Sequence, residues 1–180
     1  MKIVLLKRKI LSLFILMLSF ISFDVQSVEF EFKVTVDKQT CKLSVTGTSN
    51  NEVDFGSIQA SKIKNNLVDP IPIKLLLTDC KTDDFSDTYV KMAAKSTLNT
   101  VTFNDDITKS FGIRVSESET AIQSNNDADF IKSGDTVWTN IDKNNLEKKL
   151  YTYVKCKTGT ACEPEAGEFF STLTFSYYVD

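Results

Sequence analysis

The sequence predicts an all-β sandwich, and three observations carry that prediction. Short apolar–polar alternations recur with polar turns between them, helical periodicity is nearly absent, and the chain closes on one long alternating strand. Alternation with a period of two marks a strand with one buried face. Many such strands separated by turn residues give the pattern of a sandwich.

The first 27 residues stand apart from the fold. Lys2, Lys7, Arg8 and Lys9 precede an almost unbroken apolar run over residues 10–23, and Val25-Gln26-Ser27 offers small residues beyond it. The run is short for a membrane span and matches a secretory signal, with cleavage expected after Ser27; a retained N-terminal anchor is the alternative reading. About 153 residues then remain, one domain's worth. The leader holds four of the 21 basic and one of the 24 acidic residues, so its removal takes the net charge from −3 to about −6. An acidic exported domain lacks the clustered Lys and Arg that nucleic acid or an anionic membrane requires.

Residues 28–36 read V-E-F-E-F-K-V-T-V. Val28, Phe30, Phe32, Val34 and Val36 share one face, and Glu29, Glu31, Lys33 and Thr35 the other. Chain ends fray unless something ties them down. A terminal strand with five apolar residues on one side therefore requires a groove. Further strands are expected over residues 42–45, 52–58, 70–77, 89–93, 100–103, 111–115, 150–155 and 168–179, with a helical turn or two over 144–150. Pro70 and Pro72 put the 70–77 segment at a sheet edge or at a strand start. In the last strand, Gly167, Phe169, Ser171, Leu173, Phe175, Tyr177 and Val179 lie on one face. Glu168, Phe170, Thr172, Thr174, Ser176 and Tyr178 lie opposite them.

Four cysteines, Cys41, Cys80, Cys156 and Cys162, all follow the leader. An even count in an exported chain reads as two disulfides, for which three pairings exist. The favoured pairing is Cys41–Cys80 with Cys156–Cys162. The first closes a loop of about 40 residues and contributes roughly 4 kcal/mol in the chain-entropy model; the second pins a tight turn for about 2.5 kcal/mol. Zinc is disfavoured, because no C-x₂-C spacing occurs and the chain contains no histidine.

The same lack of histidine excludes Ser-His-Asp and Cys-His nucleophiles. No Walker loop or G-x-G-x-x-G is present, so neither phosphate cradle is available. Asp83, Asp84 and Asp87, and the pair Asp105-Asp106, sit in polar stretches that read as solvated turns rather than paired catalytic carboxylates. Residues 125–129 carry calcium-loop residue types, but Phe130 stands where the sharp turn needs glycine. Trp138 reads as a packed or partly exposed aromatic rather than a ligand platform. No enzyme, cofactor or small-molecule substrate is expected.

Several pieces in order resemble one family. They are the leader, the alternating extension, a cysteine soon after it, and Phe55-Gly56-Ser57-Ile58. A second cysteine follows an apolar strand, and then come F-G-I-R-V at 111–115, L-Y-T-Y at 150–153, and Gly167 ahead of the closing strand. Together they resemble a chaperone–usher fimbrial subunit of the type 1-like pilin class, and the resemblance spans the whole precursor. It implies an incomplete immunoglobulin-like β-sandwich, a pilin domain lacking its last strand, over residues 41–180. Residues 28–40 would be an N-terminal donor-strand extension. The resemblance further implies that Gly167, Phe169, Leu173, Phe175, Tyr177 and Val179 border the open groove. A periplasmic chaperone would fill that groove until, at the outer-membrane usher, a neighbouring pilin subunit's extension replaces it. Export through the periplasm to a surface fimbrium and a part in cell adhesion follow from the same resemblance. Two positions depart from the family pattern: Val179 where the penultimate residue is commonly aromatic, and Val34 where many extensions carry glycine. The second cysteine pair is not general in the family either. The competing class is a self-contained exported β-sandwich that folds residues 28–36 into its own sheet and binds a ligand as a monomer.

Overall fold

The computed structural model describes residues 41–48, 51–81, 84–157 and 162–179. All of these fall in one compact unit, Lys38–Asp180. The leader and the alternating segment 28–36 lie outside the described residues.

The elements run β1 (Lys42–Thr46), α1 (Ala60–Lys64), β2 (Ile71–Thr78), β3 (Thr88–Ala94), β4 (Phe111–Ser116), β5 (Thr136–Trp138), β6 (Glu147–Cys156) and β7 (Leu173–Val179), with two short 3₁₀ turns between β4 and β5. They form two sheets, in the orders β1-β2-β6-β4 and β5-β3-β7, and every pairing is antiparallel. The protein is thus an all-β sandwich, as its alternations predict.

Alternation decides what faces the core. In β2, Ile73, Leu75 and Leu77 point inward while Pro72 and Lys74 are exposed. Val90 and Met92 of β3, Phe111, Ile113 and Val115 of β4, and Leu150, Val154 and Cys156 of β6 meet them in one continuous cluster. β6 is buried on both faces from Leu150 to Cys156. Its other face, Tyr151 and Tyr153, packs with Val101, Ala121 and Phe130 in a smaller outer cluster beneath the 117–131 segment.

Two cations are buried in that outer layer. Arg114, 2% exposed, donates from Nε to Thr102 Oγ1 (2.9 Å), from Nη1 to Asp127 (2.9 Å) and from Nη2 to the carbonyls of Cys156 (3.1 Å) and Lys157 (3.0 Å). Its guanidinium also lies 5.1 Å from the centre of the Phe130 ring, within reach of a cation–π contact. Lys155, also 2% exposed, donates from Nζ to the Ile122 carbonyl at 2.6 Å. Burying a charge is costly unless it is paired and hydrogen-bonded; Arg114 makes four such bonds and Lys155 one, and those to Asp127 and Ile122 fasten the 117–131 segment onto the sheet.

Several expectations are corrected. Residues 52–58 form no strand: Glu52 makes only a bridge, and the Gly56 N–H bonds back to the Asp54 carboxylate (2.7 Å), turning the chain into α1. Residues 100–103 contribute only Phe103, which exchanges two 2.8 Å backbone bonds with Ile113. The 144–150 segment is not helical. A tight Asp142–Asn145 turn leads straight into β6. The closing strand begins at Leu173, because residues 170–172 are held by Lys95 and Asp105 outside the ladder. β2 is interior, yet Pro72 is tolerated at its start, since β1 pairs only as far as Lys74. β5 and α1 were not expected.

Gly112 sits where Phe103 crosses β4, and a Cβ there would meet the Phe103 carbonyl oxygen well inside van der Waals contact. Gly112→Ala should lower stability by roughly 1–3 kcal/mol through overpacking against backbone, read as a fall in the urea midpoint at unchanged slope.

Lys155 gives a pH signature. Burial, aided by the nearby Arg114 charge, pulls its pKa down from 10.5 to about 8. Below about pH 8 it is charged in both states, and the full cost of burying it opposes folding. Between about 8 and 10.5 the unfolded chain binds more protons than the folded one, so stability rises with pH. The urea midpoint of the native chain should rise relative to that of Lys155→Met between pH 7 and 9.5; a constant difference would contradict this.

Candidate functional site

The site is a seam of apolar side chains that the sandwich only half covers. β1 and β7 are each one of the two edge strands of their sheets, β4 and β5 being the others: among the described residues β1 pairs with β2 alone and β7 with β3 alone. Their apolar residues are correspondingly half-buried. Leu43 and Val45 of β1, with Phe169, Leu173, Phe175 and Tyr177 on the other side, pack against the core without being enclosed by it. Interior strands bury equivalent positions almost completely, with Leu75, Val90, Met92 and Leu150 all at 0% exposure. β4 is an edge strand too, yet it is buried throughout, because Phe103 and Ile131 bond its free edge at Ile113 and Val115; among the described residues no strand pairs with the second edge of β1 or β7.

Two devices hold the seam in shape. Cys41 is joined to Cys80 with the Cα atoms 4.0 Å apart, tying the start of β1 to the end of β2. The Tyr177 hydroxyl lies 3.9 Å from Cys41 Sγ, so the disulfide also touches β7. Cys156 is joined to Cys162, 5.4 Å between Cα atoms, anchoring the connection that leads toward β7 on the end of β6. Gly167, where that connection turns, has φ +120°, a conformation side chains rarely adopt. Phe169 then packs edge-on against Phe111, ring centres 4.9 Å apart.

The structure therefore brings Phe169, Leu173, Phe175 and Tyr177 to one row, with Val179 half-buried at its end. The extension residues Val28, Phe30, Phe32, Val34 and Val36 lie outside the described residues. Sequence reading missed the outer-layer pair Arg114 and Lys155; the only signal was that residues 150–156 are apolar or aromatic on both faces. Among the described residues, no group of three or more His, Cys, Asp or Glu is placed to hold a metal ion. No helix there is long and apolar enough to cross a membrane. A cleft of about 760 Å³ with a mixed polar and apolar lining opens where β3 starts, beside Asp87, Asn140 and Asp142; Thr88 and Tyr89, which also line it, pair with Val179 and Tyr178 of β7.

A two-sheet antiparallel sandwich with a half-covered apolar edge defines the class. The sequence matches the fimbrial protein family over residues 30–180, and the chain belongs to that family. Among solved structures it is similar to the P pilus rod subunit PapA, with 15% identity, a TM-score of 0.60, and coverage of 84% of this chain and 100% of that one. A chaperone–usher pilus, described for the molecular basis of rod uncoiling, matches at 14% identity and a TM-score of 0.52, covering 88% of this chain and 99% of that one. At such identities the likeness is one of fold. No curated protein matches the sequence.

The Cys41–Cys80 bridge spans 39 residues. Replacing both cysteines with serine should cost about 4 kcal/mol of stability and release β1 from β7. Equilibrium unfolding measures the first effect. A rise in the hydrogen exchange of β1 and β7 amides, with those of β6 unchanged, measures the second.

Proposed function

We propose that this protein is a structural subunit of a surface fimbria that polymerises by strand exchange. One observation carries the reading: the apolar row of β7 lies on an edge strand and is only half covered, while the same chain contains, ahead of Cys41, a segment patterned to cover such a row. Residues 28–36 of one subunit would lie in the seam between β1 and β7 of its neighbour, adding a strand beside β7. Until then a periplasmic chaperone would supply the missing strand, because an open apolar edge invites aggregation, and an outer-membrane usher would be the place of exchange. The family match supports the setting, a fimbria.

The energetics suit a permanent joint. Burying five apolar side chains at about 1.5–3 kcal/mol each gives roughly 8–15 kcal/mol as an upper bound, and each new backbone hydrogen bond adds about 1 kcal/mol net. Because the donor and the seam are different surfaces, the contact is head-to-tail and does not close, so its product is a fibre. On this reading the subunit contributes to cell adhesion as part of the fibre and performs no catalysis.

The test is to produce residues 37–180 in the periplasm with and without the cognate chaperone, then add a peptide of residues 28–36. The proposal expects an unstable domain without chaperone and slow transfer from chaperone to peptide. A well-folded monomer indifferent to both would establish the self-contained sandwich instead. In the full chain, Phe32→Asp should abolish fibres seen by electron microscopy while the chaperone complex still forms.

A further inference from the structure

We propose that the end of the sandwich carrying Ile107 and Phe170 is a second contact surface of the fibre, abutting the folded domain of the next copy of this chain; this rests on the strand-exchange reading above. Among the described residues four large apolar side chains are markedly exposed, and the two most exposed are Phe170 at 70% and Ile107 at 68%. They lie close together. The Asp105 N–H donates to the Phe170 carbonyl at 2.8 Å, and the Asp105 carboxylate accepts from the Thr172 hydroxyl (2.7 Å) and N–H (3.2 Å). Asp106 accepts from the Thr108 N–H at 3.0 Å and its carbonyl from the Lys109 N–H at 3.3 Å, closing a turn with Ile107 at its outer position. Turn positions of this kind favour Gly, Pro, Asn, Asp or Ser. A single exposed apolar residue needs no explanation. Here two stand on neighbouring segments, joined through the Asp105 bonds to Phe170 and Thr172, with the Asp106 turn presenting Ile107.

Their place relative to the seam supplies the partner. Every described strand pairing is antiparallel, the arrangement with the better hydrogen-bond geometry. If a donor strand antiparallel to β7 is taken to begin with its residue 28 against Val179, its residue 36, eight residues on, falls against Ser171. From there Cys41 is five residues away, a reach of at most about 18 Å. The next copy's domain must therefore begin beside residues 170–172, where Phe170 and Ile107 stand out. The opposite end, around Asn140, is left clear.

The experiment uses the full chain, assembled into fibres by its own chaperone and usher, with a photo-crosslinking phenylalanine analogue at position 107, 170 or 140. Irradiation should give covalent species of two-subunit mass from 107 and 170, severalfold more than from 140, with the link mapping to residues 41–180 of the second copy. Phe32→Asp, run alongside, reports separately on strand exchange. Fibres that require Phe32 yet crosslink only from 140, or from none of the three, overturn the contact surface and leave strand exchange standing. A crosslinked partner of any other mass overturns the second copy as the occupant.

Discussion

An edge strand with an apolar face and, among the described residues, one ladder partner is the constraint on which the rest of the structure turns. β7 is hydrogen-bonded to β3 along seven residue pairs, from Thr88↔Val179 to Ala94↔Leu173, so its backbone is well held on that side. Its inward side chains reach the core without being enclosed by it. Apolar area left half in water is stabilisation not yet realised. In the proposed fibre that deficit is what makes a neighbour's strand bind, and the free subunit is correspondingly the less stable form.

The opposite side of the molecule compensates. β6 lies between β2 and β4 and is buried on both faces. The 117–131 segment over its outer face is fixed by the Arg114 and Lys155 bonds and by the Tyr151 hydroxyl donating to Glu119 at 3.0 Å. Replacing such buried ions with apolar residues is often neutral or stabilising, so stability alone does not account for them. What they add is direction: each donor meets a specific carbonyl or carboxylate, and the covering segment has one place to sit.

How much of this was legible depended on whether periodicity alone decides an element. β2, β3, β4, β6 and β7 were readable because their burial follows period two or, in β4 and β6, covers both faces. The seam residues Phe169, Leu173, Phe175 and Tyr177 were readable as one row for the same reason. Residues 52–58 misled because Val53, Phe55 and Ile58 are apolar, yet they pack against the core from a turning chain rather than a ladder. α1 is five residues long with Ile63 its one buried side chain, too short to show a helical period. β5 is three residues, below the length at which alternation can be recognised. Arg114 and Lys155 look like solvent-facing residues of half-buried strands. Only the tertiary fact that residues 117–131 fold over that face makes them interior.

The disulfides and the Asp105 clamp are best understood through register. A strand slipped by one residue presents its opposite face; on β7 that would replace Leu173, Phe175 and Tyr177 with Thr174, Ser176 and Tyr178. An edge strand with one neighbour is the element most exposed to such slippage. Here the approach to β7 is fixed by three independent ties: Cys162 bonded to the end of β6, Phe169 lodged against Phe111, and Thr172 held by both carboxylate oxygens of Asp105. Near its far end, Tyr177 meets the Cys41 sulfur. A hydrophobic seam alone would tolerate several registers of an incoming strand. Pinning its wall at both ends fixes the register of the apolar row, and in the proposed fibre a fixed row is what a head-to-tail joint between identical parts would require.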